Sequence, residues 1–304
     1  MKILILGSSG FIGQALAQHL CKLGHHVVGV SRFNIESGVD HEVIECTINN
    51  TSEYYSDILS SDIIFHLASD TTPSISIDKP SLEGINNILP TLSFLEALQD
   101  SKATLVYISS GGMLYAPTQN KYANENSPIR ITSNYAAGKI TIESFIEAYS
   151  VRTNNKAIIL RPSNIYGPGQ LPKRKFGLIP TVFSTILTNK TFEVWGSGEI
   201  KKNFLYIDDF ISLCTCIVQT PDIAENFSIF NAGSDQVVSI NNIIGLAESI
   251  SGVTLKKIIK PSRNIDTNST TLSSKKALDI YNWKANTTIE AGMKSTWEWM
   301  RQKK

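Results

Sequence analysis

The chain begins with Met1-Lys-Ile-Leu-Ile-Leu-Gly7-Ser-Ser-Gly10-Phe-Ile-Gly13, a mostly apolar run that stops at a glycine-rich turn. Residues 2–6 are β-prone, as expected for a strand buried in a parallel sheet. Residues 11–23 have the periodicity of an amphipathic helix that ends near Gly24. A strand, a glycine turn and a helix in this order predict a dinucleotide site, because glycines let a pyrophosphate approach the backbone and bare amides at the helix start bind its phosphates.

The first half of the chain continues this alternation of strand and helix. Short β-branched runs predict further strands at 26–30, 42–45, 62–67, 103–108 and 156–160. Helical patterns lie between them at 51–59, 81–99 and 133–150. The alternation predicts an α/β fold of the Rossmann type, a doubly wound parallel sheet with helices on both faces.

The pattern changes beyond about residue 165 to loops rich in Gly and Pro, shorter strands and amphipathic helices such as 176–189 and 239–250. This change predicts a smaller C-terminal α/β lobe that binds the substrate. We expect a dinucleotide-binding domain at 1–165, to which some later segments return, and a mainly substrate-binding lobe at 166–304. Ligands should lie between the lobes, beyond the carboxyl ends of the strands.

Composition and charge exclude several classes of protein. With 304 residues, of which 42% are hydrophobic, the chain can bury a large core. A net charge of +1 and the lack of a basic stripe argue against a nucleic-acid partner. No apolar run is long enough to span a bilayer, so we expect a cytoplasmic protein without a membrane partner. The four cysteines lack metal-ligand spacing, and we expect no metal.

A tyrosine and a lysine, Tyr135 and Lys139, are four residues apart in a predicted helix and therefore lie on one face of it. A phenol has a pKa of about 10, so it is a poor acid or base at neutral pH. A fixed cation beside the phenol favours the phenolate and lowers that pKa. The pair therefore predicts proton transfer coupled to redox chemistry.

Further motifs follow the glycine turn in order. They are Asp62-Ile-Ile-Phe-His-Leu-Ala68, Asn86, Val106-Tyr-Ile-Ser-Ser-Gly-Gly-Met-Leu-Tyr115, the Tyr135/Lys139 pair, Leu160-Arg-Pro-Ser-Asn-Ile-Tyr-Gly-Pro168, Val194-Trp-Gly-Ser-Gly198, Phe204-Leu-Tyr-Ile-Asp-Asp209 and Phe230-Asn-Ala-Gly233. With glycines spaced Gly-x-x-Gly-x-x-Gly, the chain resembles, nearly end to end, the extended short-chain dehydrogenase/reductase family, whose members include nucleotide-sugar epimerases, dehydratases and reductases. The resemblance implies NADP or NAD as cofactor and a nucleotide-diphosphate sugar as substrate.

The resemblance implies roles for three groups of residues. The catalytic residues would be Tyr135, Lys139, Ser110 and Ser109. The cofactor would be held by Gly7, Ser9, Gly10, Phe11, Ile12, Gly13, Ser31, Arg32, Leu67, Ala68, Ser69, Asn86, Lys139, Arg161 and Pro162. The substrate would be bound by Gly111, Asn164, Trp195, Lys202 and Arg263. In this assignment Tyr135 exchanges a proton with the reacting sugar oxygen, and Lys139 bonds the nicotinamide ribose.

The choice of cofactor depends on the end of the second strand, where an acidic residue would bond the NAD ribose and repel a 2′-phosphate. This chain has Ser31 and Arg32 there, a pair that can accept an anion and favours NADP. Stacking of Arg32 on adenine would be compatible with either cofactor. Thr47 stands where members of the family usually have an aspartate near the adenine.

The loop after the fifth strand departs from the family pattern at Gly111, where relatives commonly have a Ser or Thr that bonds the sugar oxygen. Ser110 and Ser109 directly precede this position. We expect Ser110, and next Ser109, to supply the hydroxyl after a small shift of the loop that contains Gly111 and Gly112.

Three functions remain open, and the first is a C4 epimerase of a UDP- or dTDP-sugar. The second is an NADPH-dependent reductase of a nucleotide 4-keto-6-deoxy sugar, which Ser31-Arg32 favours. The third is a non-catalytic nucleotide-binding protein, against which the intact Tyr135/Lys139 pair argues. Gly112 and Met113 stand where dehydratases of the family carry an acid/base pair, and this argues against a dehydratase. The resemblance also implies a homodimer formed through helices 81–99 and 133–150.

Overall fold

The computed structural model describes residues 1–33, 41–72, 76–116, 122–172, 177–262 and 271–303. The first half contains β1 (Lys2–Leu6), α1 (Phe11–Lys22), β2 (His26–Ser31), β3 (Glu42–Glu45), a 3₁₀ turn (Thr51–Tyr54), α2 (Tyr55–Ser60), β4 (Ile63–His66), α3 (Ser81–Glu83), a π-helical turn (Gly84–Ile88), α4 (Leu89–Ala97), β5 (Thr104–Ile108), β6 (Tyr122–Ala123) and α5 (Asn134–Thr153). The second half contains β7 (Ala157–Pro162), β8 (Asn164–Tyr166), α6 (Leu178–Leu187), β9 (Phe192–Trp195), β10 (Lys201–Tyr206), α7 (Ile207–Gln219), β11 (Phe227–Ala232), β12 (Val237–Ser239), α8 (Ile240–Ser251), β13 (Lys257–Lys260), β14 (Thr271–Leu272), α9 (Lys275–Tyr281) and α10 (Ile289–Gln302).

Seven parallel strands form the central sheet, in the order β11-β7-β5-β4-β1-β2-β3. Leu4 of β1 pairs with Val28 of β2 on one side and with Ile64 of β4 on the other. The sheet confirms the predicted doubly wound α/β fold. Its edge strand β11 comes from the second half of the chain and pairs with β7, so a late segment does return to this sheet. The domain boundary at residue 165 stays a prediction.

The sheet has a hydrophobic core on each face, because successive side chains of a strand point to opposite sides. Ile3 and Ile5 pack on one face with residues of α1 and α7. Leu4 and Leu6 pack on the other face with residues of α4 and α5. The nearly unbroken apolar run of β1 is therefore explained by helices on both sides.

The helix predicted at 81–99 is divided in the structure into α3, the π-helical turn and α4. Pro90 stands at the start of α4. Proline has no N–H group to donate to the carbonyl four residues earlier, and a wider turn before it accommodates the missing bond.

Smaller sheets and helices make up the rest of the second half, where β12, β10 and β8 form a three-stranded sheet. The predicted helices 176–189 and 239–250 correspond to α6 and α8. Ser239 starts α8 in a capping box with Asn242. None of the helices in the described ranges is both long and apolar enough to cross a bilayer.

Candidate active site

The glycine turn brings the N-terminus of α1 to the carboxyl ends of the central strands. Gly7 has φ +90°, and a Cβ there would lie 2.9 Å from backbone atoms of Ala68, which follows β4. A Cβ on Gly13 would lie 2.3 Å from the carbonyl oxygen of Gly7, so the close packing of α1 on β1 requires glycine at this position. The first turn of α1 has no side-chain cap and no acidic residue. Its amides can therefore bind phosphate, and the residues fit a dinucleotide.

The polar side chains at the end of β2 are hydrogen-bonded to other residues of the protein. The hydroxyl of Ser31 lies 2.7 Å from that of Ser9 and accepts a hydrogen bond from the amide of Phe33 at 3.1 Å. The guanidinium of Arg32 donates to both carboxylate oxygens of Asp70, in the loop after β4. Ser31 and Arg32 thus lie beside the predicted cofactor site, with the charge of Arg32 compensated by Asp70.

In the π-helical turn, Asn87 is bonded to the loop after β4, whereas the residue predicted from the sequence is its neighbour Asn86, whose role stays a prediction. Asn87 is buried, accepts from the amide of Asp70 at 2.9 Å and donates to Thr71 at 2.7 Å. Asn86 is only half-buried. The available signal was the spacing of Glu83, Asn87 and Thr91, three polar residues four apart that are all buried.

Ser110 and Ser109 have different surroundings in the loop after β5. The hydroxyl of Ser109 is buried and donates to Glu143 of α5. Ser110 is half-buried, and its hydroxyl is close enough to the phenol of Tyr135 to lower the pKa of that phenol. Of the two serines, Ser110 is the one beside the predicted acid/base. Its role toward a substrate stays a prediction.

Gly111 has no room for the hydroxyl that relatives carry at this position. A Cβ there would lie 2.7 Å from the carbonyl oxygen of Arg161 and 2.4 Å from Cδ1 of Leu272. The nearest atom to a Cβ on Gly112 would be Nδ2 of Asn164 at 3.6 Å, an ordinary contact.

Replacement of Gly111 by Ala should therefore lower the free energy of unfolding by about 1–3 kcal/mol, because the Arg161 carbonyl belongs to a strand of the sheet and cannot move away. Gly112→Ala is the matched control and should be nearly neutral. Urea denaturation of both variants measures the difference. Equal stabilities would contradict the tight packing at Gly111.

Tyr135 and Lys139 lie in the first turns of α5, which Ser133 caps by accepting from the amide of Ala136 at 3.1 Å. Nζ of Lys139 is buried, donates to the carbonyl of Ile108 at 3.0 Å and lies 5.7 Å from the centre of the Tyr135 ring. The phenol and the ammonium are thus close together, as predicted, at the carboxyl end of β5.

The pKa of Tyr135 is raised to about 12, first by burial and then by the charge of Glu83, while the nearby hydroxyl of Ser110 opposes the rise. This differs from the lowering that the Tyr135/Lys139 spacing predicts. The pKa of Lys139 is lowered to about 8 by burial, against the opposing charges of Glu83 and Glu143. The protein alone therefore holds Tyr135 as the phenol at neutral pH.

The side chain of Arg161 belongs to a buried network of hydrogen bonds. Its guanidinium lies 2.5 Å from Oε2 of Glu143 and donates to the hydroxyl of Tyr115 at 2.9 Å. That hydroxyl donates to Oδ1 of Asn231 at 2.7 Å. The side chain predicted to contact the cofactor therefore joins β7 to α5 and β11. Pro162 follows it at the buried end of β7.

Asn164, among the predicted substrate residues, is exposed beside Gly112 and donates to the carbonyl of Asn203 at 2.8 Å. Lys202 lies on β10, in the same three-stranded sheet. Trp195 ends β9, in a separate two-stranded sheet. Arg263 lies outside the described residues. The described residues contain no cluster of His, Cys, Asp or Glu that could hold a metal ion, and the absence of a metal stays a prediction.

The model of the NAD-dependent epimerase/dehydratase family matches residues 3–233, a stretch that includes the glycine turn, Tyr135 and Lys139. The chain belongs to this family. This result confirms the resemblance to extended short-chain dehydrogenases/reductases, which the motifs had indicated. Its relatives are therefore the NAD-dependent epimerases and dehydratases of this family.

Members of the epimerase/dehydratase family align with this chain along nearly its whole length. The UDP-glucose 4-epimerase of Mycolicibacterium smegmatis is 25% identical, over 100% of this chain and 99% of the relative. The dTDP-4-dehydro-6-deoxyglucose reductase of Escherichia coli is 25% identical, over 96% and 95%. The structure of the UDP-glucuronic acid 4-epimerase of Bacillus cereus, in complex with UDP-glucuronic acid and NAD, superposes with a TM-score of 0.90 at 26% identity over 100% of both chains.

Proposed function

We propose that the chain is a nucleotide-sugar 4-epimerase that oxidises and re-reduces C4 of a UDP- or dTDP-sugar. The observation that carries this proposal is the grouping of Tyr135, Ser110 and Lys139 at the carboxyl end of β5. Asn164 lies beside Gly112, which is in the same loop as Ser110. The relatives named as 4-epimerases support it because they align over the whole chain.

Each residue of this group has a distinct task in the proposed reaction. A bound nicotinamide supplies the hydride chemistry at C4. Tyr135 takes the proton of the C4 hydroxyl in one half-reaction and returns it to the C4 oxygen in the other. The hydroxyl of Ser110, which lowers the pKa of Tyr135, stabilises the phenolate. Lys139 adds a positive charge beside the phenolate, and its predicted partner is the nicotinamide ribose.

A second candidate is a reductase of a nucleotide 4-keto-6-deoxy sugar. Tyr135 with a pKa of about 12 rests as the phenol, the form that donates a proton to a keto oxygen. The Escherichia coli reductase is as similar in sequence as the mycobacterial epimerase. The same acid/base pair serves both reactions, and only the starting oxidation state of the sugar differs.

One assay distinguishes the candidates. The purified protein is incubated with UDP-hexoses and with a dTDP-4-keto-6-deoxy sugar, with and without added NADH or NADPH. Interconversion of C4 epimers without added reductant is the result expected for the epimerase. Stoichiometric loss of reduced cofactor with the keto sugar, without epimer interconversion, would contradict the epimerase and support the reductase. Inactivity in every arm, with cofactor still bound, would indicate the non-catalytic protein.

We further propose that NAD is the preferred cofactor. The NADP preference expected from Ser31 and Arg32 requires an arginine that can accept a 2′-phosphate. Arg32 is instead held by both oxygens of Asp70. A 2′-phosphate would have to displace this carboxylate and would be repelled by it. The pairing, together with the NAD named in the Bacillus cereus structure, supports NAD.

Asp70→Asn should narrow the preference for NAD over NADP by about tenfold, because the substitution frees Arg32 for one charge-assisted hydrogen bond. Calorimetric titration of the wild type and the variant with NAD⁺ and NADP⁺ measures this change. Asp222→Asn, at a 97% exposed side chain, is the control and should change neither affinity. Tighter binding of NADP⁺ by the wild type would reverse the proposal.

The protein is also proposed to form a homodimer through α4, α5 and the π-helical turn. Three large apolar side chains on these elements are exposed: Ile85 at 60%, Leu89 at 57% and Phe145 at 44%. A second copy would cover them, as members of the resembled family do with these helices. Light scattering during the assays should give twice the chain mass of 33.5 kDa. The cytoplasmic location stays a prediction.

A further inference from the structure

Glu143 is a buried carboxylate of α5, the helix that carries the acid/base pair. It follows Lys139 by four residues, as Lys139 follows Tyr135, so the three side chains lie along one side of the helix. The side chain of Glu143 is only 6% exposed. A charge this deeply buried is costly unless its oxygens are bonded, so its partners show which parts of the protein it holds together.

Both carboxylate oxygens of Glu143 are bonded, and the partners belong to two neighbouring strands of the central sheet. Oε1 accepts a hydrogen bond from the hydroxyl of Ser109, which directly follows β5. Oε2 lies 2.5 Å from Nη2 of Arg161 in β7, and Nε of the same guanidinium donates to Oε1 at 3.1 Å. The carboxylate therefore joins α5 to the carboxyl ends of both strands.

The ion pair of Glu143 and Arg161 contacts the loop after β5, residues 109–115, at both of its ends. Ser109 is the first residue of this loop and donates to Glu143. Tyr115 is its last residue, and its hydroxyl accepts from Nη1 of Arg161 at 2.9 Å. A single buried ion pair thus fixes the start and the end of the loop that contains Ser110.

The backbone on either side of Ser110 is held as well. The amide of Ser109 donates to the carbonyl of Leu160 at 2.8 Å, and the amide of Gly111 donates to that of Pro162 at 2.7 Å. These two bonds fix the loop on β7 but not on α5. The bond from the Ser109 hydroxyl to Glu143 supplies that second attachment.

The two neighbouring serines therefore differ in what their hydroxyls can do. Ser109 is 4% exposed, and its hydroxyl hydrogen is directed to Glu143. Ser110 is half-buried and lies near the phenol of Tyr135. Only a hydroxyl that is not already bonded to a buried carboxylate can reach a reacting oxygen, and this favours Ser110 for direct contact.

We propose that Ser109 is a positioning residue, which attaches the loop 109–115 to α5 through Glu143 and so sets the distance between Ser110 and Tyr135. The proposal rests on the proposed function, in which Ser110 and Tyr135 act at the C4 oxygen. Ser109 itself touches neither substrate nor cofactor. The resemblance implied a catalytic role for both serines, and the proposal gives them separate tasks.

Ser109→Ala tests the proposal, because it removes the bond to Glu143 and leaves the ion pair and the backbone bonds of the loop in place. In the assay that the wild type supports, kcat should fall about 10- to 100-fold, since a misplacement of about 1 Å is enough for such a loss. The KM for the sugar and the Kd of NAD⁺ should stay the same.

Ser101→Ala is the matched control. Ser101 lies before β5, at the other end of the strand, is fully buried and donates its hydroxyl to the carbonyl of Ile58 at 2.8 Å. The control loses one buried hydroxyl bond, as Ser109→Ala does, and should keep the wild-type kcat. An equal fall of kcat in both variants would overturn the proposal, because the loss would then follow from general damage to the fold.

A double-mutant cycle with Ser110→Ala separates positioning from a direct role. If Ser109 acts through Ser110, adding Ser109→Ala to Ser110→Ala should lower kcat by no more than about twofold. The same factor for Ser109→Ala in both backgrounds would overturn the proposal, because Ser109 would then act independently of Ser110.

Crystal structures of the wild type and of Ser109→Ala, both with NAD⁺ added, provide a readout that needs no turnover. The distance from Oγ of Ser110 to Oη of Tyr135 should be about 1 Å longer in the variant. An unchanged distance would overturn the proposal. If the distance increases but the wild type converts no sugar in any assay, the proposed function fails and the positioning of Ser110 by Ser109 stands.

Discussion

Tyr135→Phe should lower turnover by about three orders of magnitude, because the variant keeps the ring but loses the proton that the reacting oxygen exchanges. The phenol lies near the half-buried Ser110 and beside the buried ammonium of Lys139. Neither contact requires the phenol for the fold, so the variant should be stable. Affinity for the cofactor should change little, because Lys139 and the first turn of α1 are untouched.

The pH dependence of the wild-type rate follows from the raised pKa of Tyr135, about 12. Below that value the group is mostly the phenol, so the rate of alcohol oxidation should rise with pH throughout the range in which the protein is folded. Tyr135→Phe should abolish this dependence. Tyr55→Phe, at a residue that is 38% exposed on α2, is the control and should keep the wild-type rate. Full activity of Tyr135→Phe would exclude Tyr135 as the acid/base.

Arg161→Met should lower the free energy of unfolding by about 3–5 kcal/mol, because it leaves the carboxylate of Glu143 buried without its cation. The two side chains are only 3% and 6% exposed. The hydroxyl of Tyr115 also loses a hydrogen-bond donor. Chemical denaturation with urea provides the measurement.

Two further variants separate the loss of the charge pair from general damage. Arg161→Met with Glu143→Gln should recover part of the stability, because no unpaired charge remains. Lys275→Met breaks an exposed pair with Asp279, in which the side chains are 75% and 53% exposed, and should cost no more than about 1 kcal/mol. An equal cost for Arg161→Met and Lys275→Met would contradict the buried role of Arg161.

The parts of the fold that were predictable from the sequence depend on local patterns. The apolar runs alternate with helical periods, and this alternation is enough to predict a doubly wound sheet. The spacing of Tyr135 and Lys139 places both on one face of α5, because a helix turns once in 3.6 residues. The helix that contains Asn86 and Asn87 was harder to predict. Its buried polar residues, Glu83, Asn87 and Thr91, are spaced four apart, and this spacing was the signal that favours Asn87 over Asn86.

Contacts between distant residues were not predictable. Arg32 suggested an anion site, but Asp70, 38 residues later, binds it. Gly111 suggested a loop that could shift, but the Arg161 carbonyl and Leu272 close the space around it. No local pattern signals such partners, because each one depends on which strands and loops meet at the edge of the sheet.

The sequence by itself determined the fold class, the glycine turn and the acid/base pair, since each follows from the repeat of a strand or a helix and from residue type. Only the tertiary structure decided which charged side chains surround that pair. It put Glu83 against Gly138 and tied Glu143 to Arg161, so one carboxylate is neutralised and the other is not. The protonation of a half-buried phenol depends on its desolvation and on the charges around it, and these come from elements far apart in the chain.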